Sequence, residues 1–303
     1  MSDHTPAPAN NKLPNYGGQA VIEGVMMRGR RAAAIAMRAP SGEIEIHTEK
    51  LSELYQSKIM EIPLLRGVLG LWDALVLGMR ALTISANMQT EEEEEEIQGL
   101  ELTLTVVVSL ALSIGIFFLI PAGVGQGVER MLGASTWMGN LIEGILRLGL
   151  LILYMWAIGK MEDIERVFAY HGAEHKVINA FESGEELTPE NVKPYSVEHP
   201  RCGTAFLLIV VVFSILLFTL LGPMPLLWRL ASRILLLPVI AGISYEYLRW
   251  TANHIHRPVV RLLVRPNLAL QGLTTREPSL DIIEVSIAAF QAMRKDEQGS
   301  TPA

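Results

Sequence analysis

Cysteine is almost missing: Cys202 is the one thiol in 303 residues. It can close no intrachain disulfide, so a crosslinked scaffold is excluded and nothing indicates an oxidising compartment. Charge is thin as well, at 19% of residues, where soluble domains carry roughly 25%. Half of the chain is apolar and mean hydropathy is +0.31, which argues against an ordinary soluble domain. A basic excess is also lacking. Net charge is −7, much of it from the run Glu91 to Glu96, so nucleic acid is not expected as a partner. No basic stretch followed by an apolar one opens the chain, so a cleavable signal peptide is not expected. Residues 1–15, polar and rich in Pro, Ala and Asn, read as a disordered tail.

Long apolar runs are what the chain does have. A helical bilayer crossing needs about 20 predominantly apolar residues. Leu102 to Val124, Trp137 to Gly159, Thr204 to Leu221 and Leu226 to Trp250 qualify. The first and third carry no charge. The second carries Glu143 and Arg147, which at i, i+4 read as a local ion pair. The fourth carries Arg229, Arg233, Glu246 and Arg249. These stretches make two hairpins, the second closed by the tight turn Gly222-Pro223-Met224-Pro225. Basic residues gather in the N-terminal region, in the loop between the hairpins and in the C-terminal region. The positive-inside bias therefore puts both termini and the central loop in the cytoplasm.

The expected fold is an all-α integral membrane bundle of four transmembrane helices with a small β-containing cytoplasmic module. Its segments run 16–98 (β-hairpin and amphipathic helix), 99–160 (first hairpin), 161–203 (cytoplasmic loop), 204–250 (second hairpin) and 251–303 (C-terminal region). Glu43 to His47 alternates with period two after the turn signal Ser41-Gly42, so Ala32 to Lys50 reads as a β-hairpin. Pro63 to Met88 has a helical apolar stripe interrupted by Arg66, Asp73 and Arg80, the pattern of an interfacial amphipathic helix or of a buried helix of the cytoplasmic module. A fifth span there would bury Asp73 and Arg80. The glutamate run reads as a solvated linker. Asp281 to Met293 reads as a short amphipathic helix with Asp281 and Glu284 as a capping pair.

The sharpest chemical signal is His171-Gly172-Ala173-Glu174-His175. On a helix, positions i and i+4 share a face and i+3 lies beside them. Two imidazoles can then converge on a metal, with Glu174 as general base or further ligand, and zinc suits that chemistry. The same loop ends in His199-Pro200-Arg201-Cys202, so His199 and Cys202 are candidates to complete the ligand set. The plain alternative is a polar surface helix whose histidines cap, pair with acids or meet headgroups. His47, His254 and His256 read as surface residues.

Five segments, GGQAVIEGVMMRG (Gly17 to Gly29), YHGAEHKVINAFE (Tyr170 to Glu182), ELTPENV (Glu186 to Val192), HPRCGTAF (His199 to Phe206) and QGLTTREP (Gln271 to Pro278), resemble the YqhQ-like family of bacterial membrane proteins. The resemblance covers about Tyr16 to Phe290. It implies a metal-dependent enzyme of the bacterial inner membrane, whose five segments assemble on the cytoplasmic face. It supplies no reaction. On that basis Glu23 is expected beside the site, orienting a ligand histidine. The leading expectation is a metal-dependent membrane hydrolase with zinc on His171, His175, His199 and Cys202. One alternative is a membrane-protein assembly or insertion factor that docks translocation or other membrane proteins. A weaker one is a transporter using Glu143 and Glu246.

Overall fold

The computed structural model describes residues 16–52, 57–89 and 99–299. The expected tail and the glutamate run lie outside the described residues. Four strands, β1 (Gly17–Val21), β2 (Gly24–Arg28), β3 (Ala32–Arg38) and β4 (Ile44–Lys50), form an antiparallel meander in chain order. The hairpin that the alternation announces is β3–β4, with Arg38 opposite Ile44. It is half of a larger sheet, because β1 and β2 extend it.

The sheet is covered on both faces. Val25, Met27, Ala34 and Ala36 pack with Tyr170, Ala173 and Val177 of α5 (Glu162–Glu182) and with Ile283 and Phe290 of α11 (Leu280–Gly299). Val21, Met26, Ala33, Ile35 and Met37 pack on Leu77 and Ala81 of α1 (Leu65–Gln89). A strand buried on both sides has no reason to alternate. The alanines of β3 keep the sheet thin enough for helices to close on it. Gly24 is required beside them: a Cβ there would lie 2.3 Å from the Ala36 carbonyl oxygen.

Helix α1 is longer and more apolar than an interfacial helix requires, enough by length and composition to cross a membrane. Asp73 does not interrupt it, because the carboxylate is turned onto Arg28. Its C-terminal half rests on the sheet, where Ser85 accepts from the Ile22 amide at 3.3 Å. Its N-terminal end lies against Gly242 and Glu246 of α9 (Leu237–Asn253). The expected capping pair at the start of α11 is not formed as such, since Glu284 is paired with Arg38 at 3.0 Å.

The other helices long and apolar enough to cross are the continuous stretch Thr103–Leu132, α4 (Thr136–Ile158) and α7 (Gly203–Leu220). The first is made of α2 (Gly99–Ile114), a π-helical turn at Gly115–Leu119 and α3 (Ile120–Leu132). It runs past the expected end at Val124 although Pro121 lies inside it. A helical proline leaves the carbonyl four residues back without its donor. Here that carbonyl, on Phe117, accepts from Arg147 Nε at 2.8 Å. The expected single span at 226–250 is instead two helices, α8 (Leu226–Leu235) and α9, bent by 44°. Pro238 in the first turn of α9 is the physical reason, since it cannot continue the ladder of α8.

A buried ionic network ties these helices together. Glu143 of α4 accepts from Arg147 at 2.8 Å, from Arg229 at 3.3 Å and from Arg233 at 2.7 Å. Arg229 also reaches Glu129 of α3 at 2.6 Å, and Asn140 accepts from both α8 arginines at 2.9 Å. The i, i+4 pair read from the sequence is thus one edge of a lock joining α3, α4 and α8. Arg147 adds α7 through Ser214 at 2.8 Å.

Candidate metal centre

Helix α5 starts with Glu162, Asp163 and Glu165 in its first turn, where acids suit the helix dipole. One face, with Tyr170, Ala173 and Val177, packs into the module core. That fixes the rotation of the helix and so the direction of His171, Glu174 and His175. Gly172 has a separate task. A Cβ there would lie 2.2 Å from the Arg276 carbonyl oxygen, so only glycine lets the 274–276 segment lie against α5. The Arg276 amide donates to the Phe168 carbonyl at 2.9 Å and anchors that segment.

This close approach sets the imidazoles. His171 Nδ1 donates to the Thr274 carbonyl at 2.8 Å, and His175 Nδ1 donates to the Val197 carbonyl at 2.6 Å. A carbonyl can only accept, so each Nδ1 carries the proton and each neutral ring presents the Nε2 lone pair. The rings lie 4.5 Å apart between centroids. Cys202 Sγ sits 3.2 Å from His171 Nε2. One ligand atom from each of His171, His175 and Cys202 lies within 4.8 Å of the others. This is the nitrogen and sulfur donor set that zinc takes, with imidazoles held from behind by carbonyls.

His199 is close by, its ring 5.6 Å from that of His175, but it faces elsewhere. Its backbone is clamped by Gln271, which accepts from the His199 amide at 3.0 Å and donates to its carbonyl at 2.9 Å. Its Nε2 lies 3.9 Å from Glu182, and burial pushes its pKa down to about 4. Glu174 is buried beside the cluster, its carboxylate 3.9 Å from His175 Nε2. Burial pushes its carboxyl above the usual range, against the pull of His171 and the Gly18 amide. Gly18 is needed for that approach, since a Cβ there would lie 2.9 Å from Glu174 Cγ.

The Gly17 to Gly29 segment therefore meets α5, but not through a bond from Glu23 to a histidine. The Glu23 carboxylate accepts from Arg166 at 2.6 Å and from the Tyr170 hydroxyl at 3.3 Å. Its backbone is left-handed, with φ 53° in the β1–β2 turn. Sequence reasoning missed Gln271, Thr274 and Gly18. Gln271 and Gly18 each stand beside a glycine in the quoted segments, but Thr274 lies between Leu273 and Thr275, and nothing in that neighbourhood marks its carbonyl.

Residues 62–296 match the model of the family described as "Protein of unknown function (DUF1385)". The chain belongs to this family. It is also 34% identical over 309 aligned residues to the "Uncharacterized protein YqhQ" of Bacillus subtilis (strain 168), covering 97% of this chain and 94% of that one. No solved structure matches. The family description names no activity, so the chemistry has to be argued from the donors themselves.

Proposed function

We propose that the chain is a multi-pass membrane metalloprotein, a zinc-dependent hydrolase whose site lies at the cytoplasmic face. The observation that carries this is the convergence of one ligand atom from each of His171, His175 and Cys202, with both imidazoles also held by carbonyls at Nδ1. A zinc ion held there would supply a Lewis acid that makes bound water acidic near neutral pH. Glu174 is the group placed to take a proton from such a water, because its buried carboxylate faces His175 and binds protons more readily than an exposed acid. His199 supports the loop that brings Cys202 in.

The topology reading has four crossings, by α2–α3, α4, α7 and α8–α9, with both termini in the cytoplasm of a bacterial inner membrane. Supporting it, α1 begins at the middle of α9 and runs back to the sheet, so it dips in and returns to the same side. The bias of basic residues points the same way. A transporter gains little, because Glu143 and Glu246 are each held by arginine.

A second reading has its own observation. His175, Cys202 and Glu174 are all buried. If Glu174 binds the metal as a fourth ligand, the site is closed and structural. It would then clip the module to the apolar helices of an assembly factor. Zinc content of detergent-purified protein, wild type against His175→Ala, tests the metal itself. About one zinc per chain is expected in wild type and close to none in the variant. Equal content in the two ends both metal readings.

A further inference from the structure

Helix α10 (Pro258–Gln271) has three faces rather than two. Val260, Val264, Asn267 and Gln271 are buried against the protein. Val259, Leu262 and Leu263 form an outward apolar face, exposed at 70%, 62% and 45%. Arg257, Arg261 and Arg265, spaced four apart, fall on one exposed line between those two faces. None of the three arginine side chains is ion-paired among the described residues, and α10 contains no acid. In a chain of net charge −7, this is a local basic stripe and not a general bias.

The placement of α10 gives the stripe a direction. Helix α7 leaves from Gly203, and α8–α9 return to Asn253, so these two ends lie on the same side. Helix α10 follows Asn253 and packs on α7 and α9. It finishes at Gln271, which holds His199 just ahead of α7. It therefore lies across that end of the hairpin, where an apolar face and a cationic face are both useful only at a lipid–water boundary.

We propose that α10 is a binding helix for anionic phospholipid, with Arg257, Arg261 and Arg265 on the lipid phosphates and Val259, Leu262 and Leu263 in the acyl boundary. The positive end of the helix, next to Arg257, adds to the attraction. The inference rests on the membrane reading above. A chain that is soluble without detergent would end that reading, whereas the experiment below can fail with the membrane reading intact.

The test is lipid retention by the full chain in a mild detergent, supplied with equal phosphatidylglycerol and phosphatidylcholine and released in a native mass spectrometer. Wild type should retain phosphatidylglycerol preferentially. The triple variant Arg257→Gln, Arg261→Gln, Arg265→Gln should lose that preference, by on the order of 100-fold if each arginine contributes as surface cations do. The corresponding triple lysine variant keeps the charge and should keep most of the preference, which separates charge loss from misfolding. Excess inorganic phosphate should not displace the lipid. A wild type with no preference, a glutamine variant that retains it, a lysine variant that loses it fully, or displacement by free phosphate each overturns the proposal.

Discussion

In the apolar helices one carboxylate, Glu143, is met by three arginines, and Asn140, Glu129 and Ser214 accept further hydrogen bonds from them. In the module, two imidazoles and a thiol face one another, and the buried acid beside them leans toward its neutral form. The first cluster is closed on itself, with donors aimed at acceptors of the same chain. The second brings two imidazoles and a thiol within 4.8 Å of one another, the donors of the site proposed above. Charge in the bundle holds helices together. The polar cluster in the module is the one for which a ligand is proposed.

Removing the central carboxylate should break the first half of that comparison most violently. Glu143→Ala leaves Arg147, Arg229 and Arg233 buried with far less compensation, and breaking a buried pair in this way costs about 3–5 kcal/mol. Thermal unfolding of the detergent-solubilised protein should show the loss, while zinc content in the surviving folded fraction stays at the wild-type level. A variant as stable as wild type would mean the network is not a lock.

What was legible in the sequence follows the same division. The motif at 171–175 could be placed on one helix face from its spacing alone, because i, i+3 and i+4 relations are local. So was the β3–β4 hairpin, since the largely exposed β4 keeps a period-two sequence behind the Ser41-Gly42 turn. The lock was not legible. Arg229 and Arg233 reach Glu143 across 86 and 90 residues, and only the i, i+4 partner Arg147 announces itself. The strand β2 escaped for a related reason, being buried on both faces by helices far away in the chain. Glu23 was expected at a histidine because its segment and the 171–202 loop share the expected cytoplasmic side and occur together in the resembled family. The contact from that segment to α5 comes through the Gly18 backbone, which no side-chain pattern reveals. The break at Leu236 was readable from Pro238, but the apolar run around it hides the change of direction.

Gly18→Ala sharpens the contrast at the other cluster. The new methyl would meet the Met26 carbonyl oxygen at 2.5 Å and Glu174 Cγ at 2.9 Å. Overpacking of this kind costs about 1–3 kcal/mol. The backbone contact is stiff, so Glu174 is the part that gives, and it swings away from His175. Zinc retention against a competing chelator should fall further than the unfolding temperature would suggest. A variant that loses stability but holds zinc as tightly as wild type would remove Glu174 from the site.

The smallest expected effect concerns the edge of the cluster, where Glu182 is held by Arg201 and faces His199. Burial raises the Glu182 carboxyl, but the facing His199 ring and the charge and hydrogen bond of Arg201 outweigh it and leave the pKa below its usual value. A carboxylate with a lowered folded pKa contributes stability that is full above its unfolded value, about 4.3, and is lost as pH falls below it. His199 works in the neighbouring window. Its folded pKa of about 4 lies below its unfolded value, so its contribution is full above about pH 6.5 and is lost between there and pH 4. Wild type should therefore lose stability in two stages on acidification. Glu182→Gln should remove the lower stage and enlarge the upper one, because Glu182 favours protonated His199 against burial, each a change of under about 1 kcal/mol for a partly exposed pair. The measurement is unfolding temperature against pH from about 7 down to about 2.5 in both proteins, so that the window below the unfolded carboxylate value is covered. Parallel curves through the part below about pH 4 would show that Glu182 does not hold this edge. An upper stage no larger in the variant than in wild type would show that Glu182 does not offset the burial of His199.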